Sequence, residues 1–151
     1  MKKTLSVTLL LTAMLTLSGC SNIKDVKIID VDSEIYSESE INSAIDTVAE
    51  YFKLNFDGCT LTMLKYAGDD DNKSADEWAK RYNAERAIVL LSSFDVDSSG
   101  GDGSFNPDST YKDCQWILVE NESGKWEHVD HGYWFLLITS KFPLERNSFI
   151  F

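Results

Sequence analysis

The side chains best suited to chemistry crowd into one short stretch, Trp126-Glu127-His128-Val129-Asp130-His131, which holds both histidines of the chain. An imidazole beside a carboxylate is a common means of moving a proton near neutral pH. On a regular strand, residues two apart share a face, so His128 and Asp130 are the expected acid/base pair. His128 would take the proton and Asp130 would orient it or balance its charge. The same period turns His128 and His131 to opposite faces, which argues against a shared metal and against zinc. In one register of the hairpin expected here, Cys114 stands opposite His131 as a nucleophile and base. A reactive thiolate wants an electropositive site, which an acidic chain does not favour.

A second group offers oxygen ligands. Asp95, Asp97, Ser99, Gly100, Gly101, Asp102 and Asn106 partly follow a calcium loop, with oxygens at positions one, three and five and Gly at six. Asn106 stands where a bidentate Glu is needed, and a strand-like segment leads in. Asp95, Asp97 and Asp102 are the residues that a looser calcium site would use, but the favoured expectation is a solvated turn with no metal or other cofactor. Asp69 to Asp71 is read in the same way, as a turn.

These residues need elements to position them. Ser37 and Glu40 form a capping box, with Tyr36 and Ile41 as its hydrophobic staple. Ile41, Ala44, Ile45, Val48, Ala49, Phe52 and Phe56 follow at helical spacing, and Gly58 supplies the left-handed stop. Cys59 to Tyr66 reads as a strand. Ser74 and Glu77 repeat the capping box before a shorter helix carrying Ala75, Trp78, Ala79 and Tyr82. Ala87 to Val96 is apolar and β-rich, and Asp97 to Asp108 is a Gly/Ser/Asp loop. Tyr111 to Glu120 and Lys125 to Tyr133 form a hairpin. The pattern predicts an α+β fold: a long and a short helix packed on a curved antiparallel sheet, the long one filling its concave face. An aromatic pocket built from some of Trp78, Tyr82, Trp116 and Trp126 is expected between them.

The stretch from Ser93-Phe94-Asp95-Val96-Asp97 through Gly103-Ser104-Phe105-Asn106-Pro107, then Trp116-Ile117-Leu118-Val119, Gly124-Lys125-Trp126 and Asp130-His131-Gly132-Tyr133, resembles small uncharacterised lipoproteins of Gram-positive bacteria. Those are similar to the nuclear-transport-factor-like, or cystatin-like, cone superfamily. The resemblance covers about residues 36 to 133. It implies a cone-shaped fold more than a function, because the superfamily hosts both enzymes and catalytically silent binding modules.

The N-terminus carries an address. Lys2 and Lys3 precede an apolar run from Thr4 to Leu17 that is shorter than the roughly 20 residues of a membrane-spanning helix. Leu17-Ser18-Gly19-Cys20 resembles a bacterial lipobox, which predicts a signal peptide over 1–19, lipidation (palmitate and diacylglycerol) of Cys20 and a tether over 20–35. The tether's apolar Val26 to Val31 stretch is expected to add an edge strand. The folded domain is expected over 36–133, with an apolar extension over 134–151. The whole chain has 14 basic and 25 acidic residues, a net charge of -11. Without Lys2 and Lys3 twelve basic residues remain, and the net charge is near -13. Such a body is repelled by nucleic acid and by anionic headgroups, so the membrane is met through the lipid anchor only. The expectation is an extracytoplasmic, membrane-anchored binding module for a small ligand or a protein partner. The alternatives are a pocket enzyme using His128 and Asp130, or a structural, immunity-type surface protein. Cys59 and Cys114 remain for one possible disulfide, although each also suits a buried free thiol.

Overall fold

The computed structural model describes residues 23–132; the signal peptide expected over 1–19, Cys20 and the extension expected over 134–151 lie outside them. Eight elements follow in order: β1 (Ile23–Ile29), α1 (Glu38–Asn55), β2 (Cys59–Tyr66), a 3-10 turn (Asp71–Ser74), α2 (Ala75–Arg81), β3 (Ala87–Val96), β4 (Thr110–Glu120) and β5 (Trp126–Gly132). The five strands form one sheet in sequence order. β2 to β5 are antiparallel neighbours, as the hairpin signals predict. The sheet is nevertheless mixed, because β1 runs parallel to β2 at its edge. That parallel start requires a crossover, and α1 is the crossover. The expected tether therefore contributes a strand from Ile23 onward.

α1 forms because its first turn and its apolar stripe agree. The Ser37 side chain accepts from the Glu40 amide at 3.3 Å, and the Glu40 carboxylate accepts from the Ser37 amide at 2.8 Å, which closes the capping box. Ile41, Ala44, Ile45, Val48 and Phe52 are buried along one face. Phe52 stacks on Phe56 at 4.5 Å between ring centroids and leans on Phe94 at 5.5 Å and Trp116 at 6.3 Å. Gly58 ends the connection at φ +69°, and a Cβ there would meet Ser99 Oγ at 2.7 Å. Only glycine meets both requirements. The second capping box does not form. Ser74 is helical and makes no side-chain cap bond, because a 3-10 turn already leads into α2.

α1 covers one face of the sheet, packing on Leu61, Leu64, Ile88, Leu90, Phe94, Trp116 and Leu118. α2 covers part of the reverse face, where Ala75 and Ala79 meet Ala87 and Val119. Two polar links tie the layers. Asn72 donates to the Tyr36 hydroxyl at 2.9 Å and accepts from the Val89 amide at 2.9 Å, while Tyr36 donates to the Ala87 carbonyl. Glu40 accepts from Arg86 at 2.7 Å, and its backbone carbonyl accepts from the Trp126 indole at 3.1 Å.

The strands depart from strict alternation at bulges. Opposite the Leu61-to-Met63 step of β2, β3 advances by one residue only, from Phe94 to Ser93, so Leu61 and Leu64, three apart, are both fully buried on the α1 face. The expected alternation of Leu61 with Met63 stops there. β4 is irregular between Tyr111 and Cys114, with Asp113 at φ 56°.

Phe52→Ala should destabilise the protein by about 3–5 kcal/mol in urea unfolding, as a buried aromatic truncation. Leu54→Ala, two residues on and 70% exposed, should cost less than about 0.5 kcal/mol. Equal losses would place Phe52 outside the core.

Candidate functional site

The β4–β5 pairing decides what the chemical side chains can do. Trp116 pairs with His131, Ile117 with Asp130 and Leu118 with His128, so β5 spends two residues where β4 spends one. Val129 is the extra residue, and its side chain packs on the reverse face with the α2 cluster. A bulge of this kind shifts the two-residue phase by one. His128 and His131, expected on opposite faces, therefore both face α1. His131 Nδ1 and His128 Nε2 are 3.1 Å apart, a hydrogen bond in which one ring donates and the other accepts. This overturns the geometric argument against a shared ligand.

The same phase shift separates His128 from Asp130. Asp130 shares the face of its partner Ile117, and its carboxylate accepts from the Tyr82 hydroxyl of α2 at 3.3 Å and from the His131 amide at 2.9 Å. The expected acid/base pair does not share a face. Cys114 does not stand opposite His131 either; it pairs with Ser92, and the hairpin loop is five residues, 121–125, folded around the Asn121 side chain.

Aromatic rings enclose the imidazoles. Tyr51 of α1 lies over His128 with ring centroids 4.0 Å apart, and Trp116 stacks on His131 at 4.9 Å and 22°. Phe56 approaches His131 at 5.3 Å. Burial holds both imidazoles below their ordinary value. His128, which also feels the His131 ring, falls to about 4, although a hydrogen bond to the Asp130 backbone and the Asp130 charge oppose the shift. His131 is lowered by burial, against the charge of Asp130. Both rings are neutral at pH 7. Open recesses flank Tyr51. One of about 400 Å³ is bounded by Glu50, Leu54, Trp126, Glu127 and His128. The other, of about 440 Å³, is bounded by Phe56, Asp57, Asp102, Phe105 and His131.

The other expected site residues fall elsewhere. Trp116 and Trp126 are buried under α1, whereas Trp78 and Tyr82 stack on each other along α2, 6.4 Å between centroids. The four are divided between two sides of the sheet, so they do not surround one pocket. The loop carboxylates serve the loop. Asp95 accepts from the Thr110 hydroxyl at 2.6 Å, Asp97 from the Ser99 amide at 2.8 Å and from its hydroxyl, and Asp102 from the Ser104 amide at 3.0 Å. Asp69 likewise accepts from Ser33 at 2.6 Å, Glu34 at 2.8 Å and Tyr66 at 3.0 Å. Among the described residues, no three His, Cys, Asp or Glu side chains converge as a ligand set. Cys59 and Cys114 are buried free thiols. They lie on β2 and β4 with β3 between them, where Cys59 pairs with Val96 and Cys114 with Ser92, so two strand spacings (roughly 9–10 Å) and an offset along the strands separate them, which a disulfide cannot span. Burial pushes both thiols up to about 11, away from reactivity.

Comparisons with protein-family models, with curated proteins and with solved structures find no match.

The folded pKa of His128 lies below its unfolded value, so the unfolded chain binds more protons as the pH falls. In metal-free buffer, stability should hold above about pH 6.5 and decline toward pH 4, by about 1–2 kcal/mol once solvent access is discounted. His128→Gln should flatten that slope. The carboxyl of Glu40, held down to about 2 by Ser37 and Arg86, adds a slope of the same sign only below about pH 5, where the unfolded chain takes up its proton, so the His128 contribution is read between about pH 6.5 and 5. A slope unchanged in His128→Gln would show that the ring is ordinary.

Proposed function

We propose that this chain is a lipid-anchored extracytoplasmic protein whose domain is a non-catalytic binding module of the cystatin-like cone type. The observation that carries the binding reading is the pair of recesses flanking Tyr51 at the C-terminal half of α1, taken as one surface. It joins a stacked aromatic wall to two neutral imidazoles, while both thiols are buried elsewhere and Asp130 is turned away. Such a surface offers apolar contact with a few polar groups to orient a ligand, which is the usual composition of a binding site. A His/Asp enzyme needs the carboxylate beside the imidazole, and here Asp130 lies on the opposite face. The cone assignment is supported by the bulges in β2, β4 and β5, because a bulge bends the strand that carries it.

The anchor reading rests on Lys2, Lys3, the apolar run and Leu17-Ser18-Gly19-Cys20. Lipid on Cys20 would hold the domain at the outer face of the cell membrane, and the acidic body would stand off anionic headgroups. Its partner there is a small ligand or an extracytoplasmic protein.

Cys20→Ser should move the protein from the membrane fraction to the medium and abolish incorporation of labelled palmitate. Retention in the membrane at the wild-type level would contradict the anchor.

A further inference from the structure

We infer that His128 and His131 form a chelating site for a borderline divalent transition cation of the Cu2+, Ni2+ or Zn2+ class. The site deepens the binding reading of the α1–β5 recess, and it does not depend on the anchor or on the cone assignment.

Imidazole nitrogens bind such cations at about 2.0–2.1 Å. Two of them on one ion are then roughly 2.9 Å apart at a right angle and roughly 3.3 Å apart at the tetrahedral angle. His131 Nδ1 and His128 Nε2, at 3.1 Å, fall between these values. In the metal-free pair one of the two nitrogens carries the shared proton. A cation bound at such lengths stands off the line between the two nitrogens, so binding requires the donor ring to move that proton to its other nitrogen and both lone pairs to turn toward one ion; the rings stay neutral and no proton is released.

The surroundings favour the exchange. Tyr51, Trp116 and Phe56 hold the two imidazoles next to each other, so both donors are already together before an ion arrives. The recess beside His131 is open to solvent and bounded by Asp57 and Asp102, whose negative charge attracts a cation. With no third protein ligand converging among the described residues, water completes the coordination. Imidazole as the only protein donor selects against Ca2+ and Mg2+, which need oxygen ligands.

The test uses the full-length protein in detergent, stripped with EDTA and dialysed. Calorimetric titration with ZnCl2 should show one saturable site, weakened by about tenfold or more in His128→Gln and in His131→Gln. Asp46→Asn, on the exposed side of α1, should leave it unchanged. MgCl2 should give no such site. Independently of any variant, the electron paramagnetic resonance spectrum of the stoichiometric Cu2+ complex should carry hyperfine structure from two imidazole nitrogens. No saturable Zn2+ site below about millimolar, equal affinity in both His variants, or a Cu2+ spectrum of oxygen ligands alone would overturn the inference. In the first of these cases the binding module would remain, with an organic ligand or a protein as its occupant.

Discussion

A β-strand can turn residues three apart to one face only by carrying a residue that its neighbour does not match, and this sheet relies on that constraint. Val129 is such a residue in β5, and the site follows from it: His128 meets His131 under α1, and Asp130 leaves for the α2 side. The same device puts Leu61 and Leu64 together in β2, and Tyr111 beside the cluster that holds Cys114 in β4. Each bulge costs ladder pairing and changes which side chains the strand turns toward α1.

The helix that fills this face binds both ends of the sheet. At its N-terminus Glu40 holds Ser37, Arg86 and the Trp126 indole, so cap, strand entry and the start of β5 share one residue. At its C-terminus Phe52 and Phe56 form an aromatic stack with Phe94 and Trp116, and Trp116 passes the contact on to His131. The imidazoles are thus an extension of the core into the recess. Their neutrality is a packing consequence before it is a chemical property.

Much of this was legible in the residues. The Ser37-to-Glu40 box, the helical spacing from Ile41 to Phe52 and the Gly58 stop are local signals, and the structure has all three. Strands β2 and β3 begin and end where the apolar runs do. What could not be read was register. A bulge depends on how two strands meet, and nothing in Glu127-His128-Val129-Asp130 marks Val129 as unmatched. The two inferences that assumed a strict two-residue period therefore erred together: the shared face of His128 and Asp130, and the divided histidines. The parallel edge strand was half visible, as an apolar stretch in an expected tether. The Ser74 box failed for a different reason, since a 3-10 turn had already satisfied the helix entry. Asn72 gave no signal at all, because its role is to bridge Tyr36 and Val89, distant residues that only the fold brings together.

The central claim is that the bulge at Val129 joins two neutral imidazoles into one hydrogen-bonded unit. It is tested most directly by following the histidine ring carbon-bound protons by NMR from pH 3 to 8 in the metal-free protein. The account predicts a midpoint near 4 for His128 and one below the ordinary histidine value of about 6.5 for His131, with the resonances of each ring responding to titration of the other. Two independent midpoints near 6.5, each ring silent to its neighbour, would contradict it.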